Sequence, residues 1–150
     1  MYRRILVPVE NSSWDACILE HVRELARLCG SSLVLIHVAD GWAARNIRAL
    51  HLRESEEMRG DRAYIEGLAA SLASEGFRAE AILATGDPAD EIVAAADREA
   101  CDLIAMTTHG HRFLKDVLYG STASAVRHKS HVPVLMVRGP ASTSAGRSRS

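Results

Sequence analysis

A chain of 150 residues, 47% of them hydrophobic and with a formal net charge of −1, has the make-up of one globular domain large enough for a real core. Acids and bases are mixed along it, which excludes the basic face of a general nucleic-acid or membrane-surface binder. Its longest apolar runs are too short to span a bilayer, and the first stops at Pro8-Val9-Glu10 with no cleavage site after it, so a cytoplasmic protein without a targeting segment is expected.

Residues 5–9 form a short apolar run ending in a proline-containing turn. Ser12 or Ser13 is positioned to cap a helix, with Asp15 in its first turn. Ile18, Val22, Leu25 and Cys29 then recur at helical spacing until Gly30 stops the helix. Leu33-Val34-Leu35-Ile36-His37-Val38 is a continuous run of the kind found in a strand covered on both faces, and His37 within it reads as a satisfied core histidine. Residues 39–49 have no clear period and include Trp42. An amphipathic helix is expected over residues 50–75, with Ile65, Leu68, Ala69 and Leu72 on one face, a possible break at Gly60 and an end at Gly76. Residues 79–83 read as a third strand. Gly86-Asp87-Pro88 is a turn and helix start, because proline fits the first helical turn, and Glu91, Ile92, Val93 and Ala96 continue that helix. Residues 102–106 read as a fourth strand, a last helix is expected from Gly120-Ser121-Thr122 to Lys129, and residues 133–137 read as a fifth strand. Residues 139–150 are small and polar and are expected to form a disordered tail, leaving 1–138 as the domain. Cys17, Cys29 and Cys101 are odd in number and lack C-x-x-C spacing, so they read as small buried hydrophobes.

Regular alternation of strand and helix predicts an α/β fold: a parallel sheet with helices on both faces, a Rossmann-like or flavodoxin-like three-layer sandwich. Ligands of such sheets sit at the carboxyl ends of the strands, where strand order reverses. Gly110 and Gly120 bracket a loop between the strand end at Met106-Thr107 and the next helix. Free backbone N–H groups and the positive end of a helix dipole make such a junction a phosphate site, with Ser121 and Thr122 adding hydroxyl donors. If the first and fourth strands are neighbours, Glu10 and this loop face one crevice. His111 and Arg112 lie inside the loop and Lys115 follows. Each can meet a phosphate, Arg112 best because its guanidinium fork matches phosphate oxygens, or can be a solvated loop charge. His109 with His111, and His128 near His131, lack a third ligand, so no metal site from protein side chains alone is expected.

Three segments agree in order and spacing: Arg4-Ile5-Leu6-Val7-Pro8-Val9-Glu10-Asn11-Ser12, Leu35-Ile36-His37-Val38, and Thr107-Thr108-His109-Gly110 followed, after nine intervening residues, by Gly120-Ser121. With Pro133-Val134-Leu135-Met136-Val137, they make residues 2–138 resemble the universal stress protein family. Its ATP-binding members carry G-x2-G-x9-G-[S/T]. Here the second and third glycines are Gly110 and Gly120, and the hydroxyl residue is Ser121. Thr107 stands in place of the first glycine, and Glu10 in place of the usual aspartate at the end of the first strand. The Cβ of Thr107 resists positive φ but suits a strand end.

The resemblance implies a Rossmann-like sandwich with a five-stranded parallel sheet in the order 3-2-1-4-5. It also implies a stress-response protein that binds an adenine nucleotide, ATP or its AMP and ADP forms, as a regulatory or interaction module with little or no turnover. Pro8 and Val9 would pack near the base, Glu10 would contact adenine or ribose, and Val38 would line the adenine pocket. Met106 and Thr107 would stand at the loop's mouth. Gly110, His111, Arg112, Gly120, Ser121 and Thr122 would surround the phosphates, bridged by Mg²⁺, an ion that needs few protein ligands. The bland alternatives are a helix-capping or solvated Glu10, a core Val38, a turn glycine at Gly110 and an N-capping Ser121. No G-x-S-x-G, P-loop or evident water activator is present, so no catalytic residue is assigned. Two other readings stand beside this one: a nucleotide-free dimeric interaction module, favoured by Thr107 and Glu10, and a slow ATPase or phosphotransfer protein. The resemblance further implies a homodimer through the last strand, Val134, Leu135, Met136 and Val137, an apolar edge that needs cover.

Overall fold

Side chains on a strand alternate between its two faces, and here both faces are apolar, so every central strand must be covered twice. The computed structural model, which describes residues 1–40, 51–108 and 117–139, does this with five strands and, among the described residues, four helices. In chain order they are β1 (Arg4–Pro8), α1 (Trp14–Cys29), β2 (Ser32–Asp40), α2 (His51–Ser74), β3 (Ala79–Gly86), α3 (Pro88–Arg98), β4 (Leu103–Thr108), α4 (Val117–Lys129) and β5 (Val134–Arg138). All strand pairs are parallel, and the sheet runs β3-β2-β1-β4-β5, the order expected from the sequence.

Ile5, Val7, Leu33, Leu35, Leu103 and Ala105 face α1 and α2, where Ile18, Val22, Ala26, Ile65, Ala69 and Leu72 complete one core. Leu6, Val34, Ile36, Ile104 and Met106 face α3 and α4, where Ile92, Ala95, Ala96, Ala123 and Val126 complete the other. Ile5, Leu6, Val34 and Ile36 are fully buried, each side chain contributing about 1.5–3 kcal/mol on the transfer scale.

Local signals are met where they rest on backbone chemistry. Gly30 ends α1 in the left-handed conformation, φ 68°. Pro88 opens α3 behind Asp87, whose carboxylate accepts from Asp90 N–H at 3.0 Å. Gly60 does not interrupt α2: a lone helical glycine costs only about 1 kcal/mol, less than the long helix gains from packing. The last helix begins at Val117 rather than at Gly120, so Gly120, Ser121 and Thr122 lie inside α4 and Ser121 is not an N-cap. The same tolerance explains it, since Gly120 reads as a boundary in sequence but fits within a helix. β4 runs two residues further than expected and includes Thr107 and Thr108, paired with Val137 and Arg138.

The two ends of the sheet differ. At the amino end, Asp102 accepts from the N–H groups of Arg3 and Arg4, and the Arg4 guanidinium bridges Glu80 at 2.8 Å and Glu99 at 3.1 Å. At the carboxyl end the sheet splits. β1 pairs with β2 as far as Pro8–Ile36, and β4 with β5 as far as Thr108–Arg138, but β1 and β4 pair only at Ile5–Leu103 and Leu6–Ile104. In a parallel sheet, successive residues aim their N–H and C=O groups at opposite neighbours. Arg3 C=O accepts from Ser32 and Val9 N–H donates to Ile36, so odd residues of β1 face β2. Arg4 C=O accepts from Asp102, so even residues face β4. Pro8 is even, and proline has no N–H to give. The next bond toward β4 is missing, and the strands part there.

Candidate functional site

The parting of β1 from β4 lies where strand order reverses, the position at which open α/β sheets hold ligands. One wall is the end of β1. Val9 is buried, Pro8 and Glu10 are half-buried, and Met106, beside the mouth, is buried in the α3/α4 core. Val38, half-buried near the end of β2, packs against that same core. Thr107 continues the face of Leu103 and Ala105 in regular strand geometry, with no demand for positive φ.

The turn after β1 is organised by Asp15, which is 3% exposed. Its carboxylate accepts from the N–H groups of Glu10 at 2.9 Å, Asn11 at 2.8 Å and Ser12 at 3.2 Å, and from the Tyr64 hydroxyl. Burial, and then the Asp15 carboxylate, hold the Tyr64 phenol well above its ordinary range. Asn11 adopts φ 61°, a left-handed turn that asparagine tolerates and that brings the three N–H groups onto one anion. Ser13 makes no capping bond; the Ser12 hydroxyl accepts from Trp14 N–H at 3.3 Å instead, and donates to Glu10 Oε2 at 3.4 Å.

His37 is half-buried, as a strand-end residue, and its ring bonds outward rather than into the core. Its Nδ1 lies 2.9 Å from Val9 C=O, which can only accept, so Nδ1 carries the proton. Its Nε2 lies 3.4 Å from Asp61 Oδ2 on α2, an ion pair when the ring is protonated. Neither Asp15 nor the Asp61–His37 pair stands out in the sequence as part of a site. An acid in a helix's first turn reads as a complement to the dipole, and the partners lie tens of residues apart.

The arrangement sorts the helix starts near this edge. At the start of α1 the N–H groups of Trp14 and Asp15 meet the Ser12 hydroxyl and C=O, and at the start of α3 the Asp90 N–H meets Asp87, so both starts carry partners from the chain itself. The first turn of α4 holds no acid; Asp116, just before it, lies outside the described residues. Ser121 is exposed and Thr122 half-buried on α4. Gly110, His111 and Arg112 lie outside the described residues, as do Trp42 and His109. A cavity of about 290 Å³ elsewhere, lined in part by Arg27, Glu75 and Phe77, adjoins the carboxyl ends of α1 and α2, whose partial negative charge disfavours phosphate. The three cysteines are free; Cys17 and Cys29 are half-buried rather than buried, and Cys101 is buried, which pushes its thiol up to about 11 against the pull of Arg4. No helix among the described residues is long and apolar enough to cross a membrane.

The family model for universal stress proteins matches residues 1–138. The chain belongs to the universal stress protein family. Among universal stress proteins of known sequence, it is 32% identical to MJ0577 of Methanocaldococcus jannaschii, covering 92% of this chain and 96% of that protein. It is 28% identical to YxiE of Bacillus subtilis, over 92% of this chain and all of that one. The solved structure of MJ0577 superposes with a TM-score of 0.83 at 31% identity, covering 95% and 99% of the two chains. A universal stress protein of Archaeoglobus fulgidus, solved in complex with dAMP, shares the fold at a TM-score of 0.67 and 24% identity, over 90% and 97% of the chains.

Proposed function

We propose that this universal stress protein binds an adenine nucleotide, ATP or its ADP and AMP forms, in the crevice between β1 and β4, and acts as a nucleotide-dependent regulatory or interaction module with little or no turnover. The observation that carries the reading is the split sheet, with Glu10 on one lip and the acid-free first turn of α4 beyond the other. The base packs toward Pro8, Val9 and Val38, and Glu10 meets ribose or adenine. The phosphates lie toward Gly110, His111, Arg112, Gly120, Ser121 and Thr122, with Mg²⁺ bridging them. Asp15 supports that orientation: it fills the anion-binding turn after β1 and leaves the α4 side for phosphate. Proteins of this fold have been solved with dAMP and with cAMP, so the fold is compatible with such a ligand.

Titration calorimetry with ATP, ADP and AMP is expected to give binding by the intact chain, and Gly110→Val to weaken ATP by about tenfold or more, the worth of one or two phosphate contacts. No heat with any of the three overturns the reading.

The second element of the proposal is a homodimer through β5. β5 is an edge strand, and Val134, Leu135, Met136 and Val137 are all half-buried. Pro133 C=O accepts from Ile104 N–H, so odd residues of β5 face β4 and even ones face the open edge. Met136→Pro therefore removes an outward N–H and spares the β4 ladder. Light scattering is expected to find the wild type dimeric and Met136→Pro monomeric, with the helical circular dichroism unchanged; a dimeric variant rejects this interface.

A further inference from the structure

The peptide joining Val9 to Glu10 is gripped at both of its polar ends. Its C=O accepts from His37 Nδ1 at 2.9 Å, and its N–H donates to Asp15 Oδ1 at 2.9 Å. Both partners are themselves met from α2: His37 Nε2 by Asp61 at 3.4 Å, an ion pair when the ring carries both protons, and Asp15 by the Tyr64 hydroxyl. Asp61 and Tyr64 are three residues apart and so share one face of that helix. Two independent chains of contact, one from each side of a single peptide plane, thus end on neighbouring turns of one element.

We infer that α2 sets the orientation of the Val9–Glu10 peptide, and with it the aim of the Glu10 carboxylate, so that Asp61 and Tyr64 are positioning residues for the nucleotide crevice although neither is at its mouth. The inference rests on the nucleotide-binding reading above. A peptide fixed by one hydrogen bond can still rotate about the flanking ψ and φ. Fixing both its oxygen and its hydrogen removes that rotation, and the Cα–Cβ bond of Glu10 is then aimed by the scaffold rather than by the ligand. The half-buried setting keeps both grips shielded from competing water. Because the grip comes from α2, a displacement of that helix changes the lip of the crevice, and nucleotide binding reciprocally restrains α2.

The test uses the full chain with Tyr64→Phe, Asp61→Ala, the double variant, and Leu72→Val, which trims a fully buried α2 side chain without touching either contact. Amide hydrogen exchange of Glu10, read by NMR without nucleotide, is expected to accelerate in the first three and not in Leu72→Val. Nucleotide dissociation constants are expected to rise about three- to tenfold in each single variant, the equivalent of one lost hydrogen bond, and to stay level in Leu72→Val at a comparable loss of melting temperature. Unchanged Glu10 exchange in the double variant overturns the inference. Faster exchange with unchanged affinity overturns its functional half. If the wild type binds no nucleotide, the nucleotide reading fails by itself, and Glu10 exchange still decides whether α2 holds the peptide.

Discussion

Asp15→Ala is expected to lower the melting temperature by about 6–12 °C, from a loss of about 3 kcal/mol and the usual 2–4 °C per kcal/mol for a chain of this size. The carboxylate is 3% exposed and accepts four hydrogen bonds, three of them from consecutive backbone N–H groups. Alanine leaves those three donors and the Tyr64 hydroxyl without their anion. Each charge-assisted bond is worth more than a neutral one, but relief from burying a charge, and water entering beside the half-buried turn, return part of the sum. Asp15→Asn separates the contributions. It keeps the shape and one acceptor oxygen while turning an NH₂ toward backbone donors, so a loss at least half that of alanine is expected. Tyr64→Phe removes one bond of the four and costs about 1 kcal/mol. A shift below about 2 °C for Asp15→Ala, on the same scale of 2–4 °C per kcal/mol, contradicts this account of the turn.

The second large effect is expected at Gly139, a residue assigned by sequence to the tail but buried against Trp14 at the start of α1. A Cβ there would stand 2.1 Å from Trp14 Cζ3 and 2.2 Å from Cε3. The backbone shows no left-handed strain, so the cost of Gly139→Ala is steric. Either the indole leaves its seat or the end of β5 lifts, weakening the 3.5 Å contact from Gly139 N–H to Thr108 C=O. Overpacking of this kind costs about 1–3 kcal/mol. In a Trp42→Phe background Trp14 is the one remaining tryptophan, and its emission is expected to shift to the red. A double-mutant cycle gives the decisive reading: in a Trp14→Ala background, Gly139→Ala is expected to be nearly neutral. Full additivity of the two changes would show that the indole is not the obstacle.

The fold was legible in the sequence because its evidence is local and redundant. Leu33 to Val38 is a run typical of a doubly covered strand, and Asp87-Pro88 states a helix start in backbone terms. Alternation of elements with short connections leaves few sheets to choose from. The start of α4 was misread at Gly120 because glycine punctuates a sequence more strongly than it breaks a helix. Ser13 was a candidate cap because serine caps helices on average, whereas this turn is closed by Asp15, a residue that looks like an ordinary first-turn acid. The residues named for the crevice came from motif spacing. Those that hold its lip, His37, Asp61, Asp15 and Tyr64, came only with the fold, since a contact between positions 15 and 64 leaves no periodic trace.

The missing N–H of Pro8 has a kinetic consequence. The gap between β1 and β4 is written into the covalent chain, so no backbone bond has to break for the crevice to exist. On the nucleotide-binding proposal, a ligand then pays no population tax for opening the sheet. Differences in affinity among ligands should then reside in how slowly they leave.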